Sequence, residues 1–471
     1  MRSHERIDHQ YDFDVAILGG GSGGYAAART AAGAGLRTVV IEGGKDVGGL
    51  CILRGCMPTK ALLYAAEIRH LAQYGGIWGM KPGEVAFDWP SVMARKDRLI
   101  REFADDRVHQ LQSGNFKFVR ALARFADPHT VVLGTGEKLT ANHFVISTGS
   151  VTARPPLPQL AGVGCLTSDE AIALKQSPKS LIVLGGGAVA VEFAQLFARF
   201  DVEVTLIQRS ANLLRECDTD AAMTIEEVFR REGIKLFTGT GLIDTYREGR
   251  SKVVVFMHGR EKVEVRADEI LFALGRAPNT ASLALDKAGV ETESGRIIAN
   301  ERMQTSAPHI YAAGDCTGPH EITHIAVQQG EIAAHNIAHP EHPRELDERM
   351  LIQVVFTDPQ VATAGLTEKA ARTRGIPYLA ASYPFNDHGK SLIMEAKDGF
   401  VKLLADPKTG EILGGCCVGP MGGELIHEIV AAMAKRMTVR ELAALPHYHP
   451  TLAEVWTYPA EELAARMPGT D

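Results

Sequence analysis

Two cysteines five residues apart, Cys51 and Cys56, stand in the stretch GGLCILRGCMPTK. In a reducing compartment closely spaced cysteines either bind a metal or exchange electrons as a dithiol and disulfide. Metal binding favours two such pairs, and no matching Cys/His pair stands elsewhere, so redox chemistry leads and no metal ligands are assigned. In an undistorted helix, residues five apart have Cα atoms roughly 8 to 9 Å from each other, beyond disulfide reach. The backbone must bend. Gly55 offers the freedom and Pro58 is tolerated in a first helical turn, so the segment reads as a strained strand-to-helix entry where Cys51 and Cys56 can pair. Such a disulfide reduces easily and leaves a stabilised thiolate, while Arg54 either lowers a neighbouring thiol's pKa or points to water. Thiolate chemistry also needs a proton donor and acceptor near neutrality. PHYHPTLAEVW offers His447, His449 and Glu454, an imidazole with a carboxylate to orient it, although the same loop also reads as structural or as an adventitious metal site.

The elements that must position these residues show in an internal repeat. VAILGGGSGGYAAARTA (15–31) and LIVLGGGAVAVEFAQLFA (181–198) each read as an apolar strand, a glycine turn and an Ala-rich helix. Each continues into a second strand, RTVVIE (37–42) and EVTLIQ (203–208), and 23 residues separate Gly19 from Glu42 and Gly185 from Gln208 alike. Two βαβ units of matched length follow. FVISTGS (144–150) and ILFALGRAPN (270–279) close them as strands entering glycine turns, and Pro155, Pro156 and Pro158 mark a domain crossing. IYAAGDCTG (310–318) is a further strand ending in Gly-Asp. Past about residue 348 the pattern becomes strand, turn, strand and helix, which predicts an α+β domain with an antiparallel sheet.

Gly19, Gly21 and Gly24, with Ser22 among them, form G-x-G-x-x-G directly after a strand: a tight turn, close approach of a pyrophosphate, and close helix–strand packing. The helix N-terminus then offers unpaired N–H groups to the phosphates, and Glu42 stands where a carboxylate accepts from a ribose diol. In the second copy Gly185, Gly187 and Ala190 repeat the turn, but Gln208 replaces the acid and Arg209 follows it. A carboxylate there would repel a 2′-phosphate, whereas an amide beside a guanidinium accepts one. The second site therefore reads as NADP(H) in preference to NAD(H), with Arg215 a second cation or a solvated loop residue. Among the other cysteines Cys165, Cys217 and Cys316 are isolated, and Cys416 and Cys417, adjacent on a strand pattern, point to opposite faces as packing residues.

At 471 residues the chain needs several domains. With 47 glycines against 6% aromatics the composition suits α/β nucleotide binders, and a formal charge of −7 gives no positive field to draw nucleic acid. The charged N-terminal stretch lacks the apolar core of a signal peptide, and no apolar run is long enough to span a bilayer, so a cytoplasmic protein without membrane or nucleic-acid partners is expected.

These residues resemble the class I pyridine nucleotide–disulfide oxidoreductases: dihydrolipoamide dehydrogenase, glutathione reductase and mercuric reductase. The match runs in order through GGGSGG, GGLCILRGCMPTK, STGS, GGGAVAVE, ALGRAPN, AAGDCTG, FTDPQVATAGLT and HYHPTLAE, across almost the whole chain. The resemblance implies an α/β fold with two Rossmann-like, glutathione reductase-type nucleotide-binding domains and a C-terminal α+β dimerisation domain. It divides the chain into an FAD domain (1–152 and 282–348), an NAD(P) domain (153–281, with Gly275 in its closing turn) and an interface domain (349–471) of a homodimer. It implies FAD contacts from Gly19 to Gly24, Glu42, Lys60, Asp315 and Thr148, Gly149 and Ser150, and a Lys60–Glu192 pair near the flavin. Cys56 matches the thiol facing the flavin, Cys51 the one exchanging with a small or carrier-bound disulfide substrate, and His449 with Glu454 an acid–base dyad reaching into the partner's site. Leu50 and the ILR between the cysteines depart from the family's usual residues. The chain is similar to dihydrolipoamide dehydrogenases in GGGSGGYAAA and its C-terminal loop, but to the NADPH-using reductases in Gln208, Arg209 and Arg215. It ends without the C-terminal cysteine pair of mercuric reductases, and Arg29 matches a glutathione-contacting arginine.

Overall fold

The computed structural model describes residues 10–467 apart from 82, 84, 154–156 and 161, so Pro155 and Pro156 lie outside the described residues. The chain gathers into two compact units, one formed by the chain up to Thr59 with Ala94–Ala153 and Gly275–Leu346, the other by 60–93, 154–274 and the chain from 347 on.

In the first unit the strand Phe13–Leu18 pairs in parallel with Thr38–Ile41 on one side and Lys138–Ile146 on the other; Lys117–Val119 and Ile310–Ala312 extend the sheet outward, also in parallel. Val15, Ala16, Ile17 and Leu18 are buried, the unbroken apolar run that a sheet covered on both faces demands. Helix Ser22–Gly33 covers one face, and its buried residues are all glycine or alanine. That lets helix Thr323–Ala338 come so near that a Cβ on Gly330 would stand 2.2 Å from the Gly23 carbonyl oxygen.

The second unit holds the other βαβ copy. Strands Lys235–Phe237, Glu203–Ile207, Ser180–Leu184 and Glu269–Phe272 form a parallel sheet in that order, with helix Ala188–Ala198 following the glycine turn. An antiparallel meander, Thr240–Glu248, Ser251–His258 and Glu261–Ala267, stands beside it. From Ile352 the chain builds an antiparallel sheet, as the C-terminal pattern predicts, with five strands ordered Ile352–Val355, Gln360–Gly365, Ile412–Gly419, Phe400–Ala405, Leu379–Pro384. Cys416 and Cys417 are both buried and pack into different clusters, Cys416 with Phe193 and Val418, Cys417 with Ile426 and Trp456, as opposite faces of one strand require. Buried Lys402 ties this sheet to the start of the helix at Thr219–Arg231 through Asp218 (3.0 Å) and Asp220 (2.6 Å), and also pairs with Glu368 (3.0 Å) of helix Glu368–Arg374. Among the described residues no helix is long and apolar enough to cross a membrane.

The cysteine segment corrects one expectation. Cys51 lies on a short helix, Gly49–Leu53, and Cys56 opens the next, Cys56–Gln73, so the bend is a break between helices and not a strand-to-helix entry. Gly55 serves there by its size: a Cβ would stand 3.1 Å from the Leu50 carbonyl oxygen and 3.3 Å from the Cys51 Cα.

Candidate active site

The two glycine turns have the same construction. Gly19 (φ +108°) and Gly185 (φ +122°) both adopt a backbone that L-residues avoid, and a Cβ at either would stand 2.3 Å from a carbonyl oxygen of the closing segment, Ser147 or Ala273. Gly24 is held by contact, since its Cβ would fall 1.9 Å from the Gly19 oxygen. Ala190 fills the matching place in the second copy and is fully buried.

Behind the first turn Glu42 Oε2 accepts from the Gly20 N–H (2.7 Å) and Oε1 from the Gly44 N–H (2.6 Å), which fixes the carboxylate against the turn. Helix Ser22–Gly33 begins at Gly21 with no side chain capping it, leaving first-turn N–H groups for an anion. Gly49 packs on Gly21, where a Cβ would approach the Gly21 Cα to 2.7 Å, so the turn positions the helix bearing Cys51. In the closing turns Asp315 accepts from Ser150 Oγ (2.6 Å), while Arg276 donates to Ser150 Oγ (2.8 Å) and to the Ser150 carbonyl (2.9 Å). Asn279 donates to the carbonyls of Gly149 and Thr148. Arg276 and Asn279 are not among the residues singled out from sequence, although both stand in the GRAPN segment that Gly275 opens. The Thr148 hydroxyl is buried with no partner among the described residues. An unpaired buried hydroxyl, an uncapped helix start and an anchored acid fit a bound dinucleotide.

Cys51 and Cys56 are not bridged as a disulfide, and both are half-buried. Cys56 Sγ lies 3.4 Å from Thr323 Oγ1, at the first residue of a helix with no side-chain cap. The hydrogen bond with Cys56, followed by burial, holds the Cys51 thiol far above its ordinary range. In the reduced pair the proton is shared between two sulfurs in a low-dielectric place, which disfavours the charged form. Arg29, exposed, pairs with Glu331 at 2.9 Å.

In the second unit Lys60 Nζ donates to both oxygens of buried Glu192 (3.0 and 2.9 Å), and Glu192 also accepts from the Phe356 N–H (2.9 Å). Lys60 lies 4.5 Å above the Phe356 ring. At the second nucleotide turn helix Ala188–Ala198 starts at Gly187, again uncapped. Gln208 lies across the turn, where a Cβ on Gly186 would stand 2.9 Å from its Cδ, and its Oε1 accepts from the Arg209 N–H (3.0 Å). Arg209 is exposed, and its guanidinium makes no ion pair or hydrogen bond with the described residues. Arg215 is also exposed but pairs with Glu216 at 2.7 Å.

Near the C-terminus His449, 76% exposed, places Nδ1 2.9 Å from Glu454 Oε2. His447 is separate from that dyad, since its Nε2 pairs with Glu428 at 2.7 Å. Sequence reasoning missed His388, whose fully buried ring puts Nε2 3.4 Å from Glu454 Oε1. No local signal marks it, because 66 residues separate it from Glu454.

Residues 13–330 match the pyridine nucleotide–disulphide oxidoreductase family and residues 351–460 its dimerisation domain. The chain belongs to this family. Among curated proteins it is similar to a dihydrolipoyl dehydrogenase of Mycobacterium tuberculosis, 37% identical over 451 residues, covering 94% of this chain and 96% of the relative. One from Mycobacterium leprae is 35% identical over 452 residues, with 94% and 96% covered. Among solved structures it is similar to LpdA from Mycobacterium tuberculosis (TM-score 0.86, 28% identity, 95% and 99% covered). A second is the HOCl-induced flavoprotein disulfide reductase RclA from Escherichia coli (TM-score 0.84, 27% identity, 95% and 99% covered). As a class I member the chain is an FAD-dependent disulfide oxidoreductase that uses a pyridine nucleotide, and it carries the family's dimerisation domain.

Proposed function

We propose that this oxidoreductase prefers NADPH and reduces a small or carrier-bound disulfide, and that it stands nearest to the dihydrolipoamide dehydrogenase branch. The observation carrying the nucleotide preference is Gln208 with exposed Arg209 at the position that Glu42 occupies in the first copy. In this reading 153–281 is the NADP(H) domain, with Gly185, Gly187 and Gly275 in its turns. FAD is held in the first unit by Gly19 to Gly24, Glu42, Thr148, Gly149, Ser150 and Asp315. When bound, FAD supplies two-electron exchange between a nicotinamide and a dithiol.

The chain's own residues then do the sulfur chemistry. The Cys51 proton needs a base, because its thiol is held up by Cys56 and burial. His449, oriented by Glu454, is that base, contributed by the second subunit of a homodimer. The Cys51 thiolate attacks one substrate sulfur, the substrate S–S bond breaks, and the imidazolium returns its proton to the leaving thiolate. Cys56 then attacks Cys51, releases the second substrate thiol and leaves the Cys51–Cys56 disulfide. The second reading is NAD-linked oxidation of dihydrolipoamide, the same exchange reversed, favoured by the name of the curated relatives. Steady-state rates with NADPH and with NADH, each against lipoamide, oxidised glutathione and Hg(II), test the proposal. A strong NADH preference contradicts it.

A further inference from the structure

Glu454 serves two imidazoles. One oxygen faces His449 at 2.9 Å; the other accepts from the Thr451 N–H (3.3 Å) and lies 3.4 Å from His388 Nε2. His388 is wholly buried beside the rings of Phe385 and Tyr458, and its Nδ1 is 2.8 Å from the hydroxyl of Ser391, also wholly buried. An imidazole so enclosed costs stability unless its nitrogens are matched, and an apolar ring would fill the slot at less cost. Burial holds it below the ordinary imidazole range and so neutral, with one donor and one acceptor. A serine hydroxyl turns to suit: when it donates to Nδ1, the ring proton stands on Nε2, which has no hydrogen-bond partner among the described residues and lies 3.4 Å from the Glu454 oxygen.

We propose that His388 is a positioning residue for the His449–Glu454 dyad, its buried and otherwise unpartnered Nε2, 3.4 Å away, restraining the Glu454 oxygen that His449 does not use. The inference rests on the dyad's acid–base role proposed above. It places a second, neutral imidazole behind the carboxylate, so that Glu454 keeps one orientation as His449 gains and loses its proton. The titratable groups facing His388 are Glu454 and His449 from the C-terminal loop and Tyr458 from the helix that follows. Tyr383 stacks on Tyr458 at 3.9 Å and donates to Asp387 beside His388.

The test uses the FAD-loaded enzyme with oxidised lipoamide as probe, comparing His388→Phe, His388→Gln and Ser391→Ala. His388→Phe is expected to lower kcat/KM about tenfold and to move the pH limb set by His449 up by roughly half a unit, since Glu454 loses a donor and pulls harder on the His449 proton. His388→Gln, which keeps an N–H donor, restores activity to within about threefold, and Ser391→Ala shifts the limb in the same direction by less. Reduction of the enzyme by NADPH stays unchanged in all three. A wild-type pH profile in His388→Phe overturns the proposal, as does a loss that Gln does not rescue; if His388→Phe does not fold, an unaltered profile in Ser391→Ala overturns it instead. Failure of the dyad itself shows separately, as wild-type turnover in His449→Gln.

Discussion

Replacing Arg209 by alanine tests the nucleotide assignment at one side chain. Its guanidinium is exposed and unpaired among the described residues, so nothing in the fold is lost with it. What is lost is a charge-assisted contact to a 2′-phosphate, worth about 1.5–3 kcal/mol. Exposure and screening reduce it to about 1–2 kcal/mol, or a fall of roughly 5- to 30-fold in kcat/KM for NADPH. NADH, which has no 2′-phosphate, should change less than about twofold. Gln208→Glu goes further because it sets a carboxylate where the amide now lies across the glycine turn. Two unit charges about 4 Å apart at an effective dielectric of about 20 repel by about 4 kcal/mol, and screening leaves about half of that near a surface. NADPH should then lose roughly 30-fold, while NADH gains from an acceptor for its ribose diol. Initial rates over a range of each nucleotide, at fixed lipoamide, give both ratios. Equal losses for the two nucleotides in Arg209→Ala would refute the reasoning, because the contact would then not concern the 2′-phosphate.

Gly24→Ala drives a Cβ to 1.9 Å from a backbone oxygen, so neither side can yield cheaply; we expect a loss of about 1–3 kcal/mol and poor FAD retention, read from melting and from flavin absorbance after desalting. Glu454→Gln leaves His449 without a carboxylate and should lower kcat about 10²- to 10³-fold with FAD content unchanged, measured by steady-state turnover. His143 and His309 are held below the ordinary imidazole range, first by burial. The folded state therefore binds fewer protons there than the unfolded chain, and their contribution is complete above about pH 6.5 and is lost as pH falls below it. Melting temperatures between pH 7.5 and 5 should fall, and less steeply in His309→Asn; identical slopes would count against this origin.

The parts of the fold readable from sequence are those fixed by local spacing. The two strand–turn–helix copies follow from an apolar run, glycines and an alanine-rich helix, and the structure places helices Ser22–Gly33 and Ala188–Ala198 directly after them. The opposite faces of Cys416 and Cys417 follow from the period of two in a strand. At Cys51 the same reasoning failed, because GLCIL is too short and too apolar for periodicity to separate strand from helix, and the deciding contact, Gly49 on Gly21, is tertiary. The raised Cys51 thiol had no sequence signal either, since it depends on how closely a second sulfur approaches. His388 and Arg276 became visible only when the chain brought them to Glu454 and Ser150.

The most direct test of electron transfer into the Cys51–Cys56 pair is an anaerobic titration of the FAD-loaded enzyme with NADPH, alongside the Cys51→Ser, Cys56→Ser double variant. The account predicts that the wild type takes up more than the two electrons FAD alone can accept, and that the double variant stops at two and reduces no disulfide. Uptake of only two electrons by the wild type, or full turnover by the variant, would contradict it.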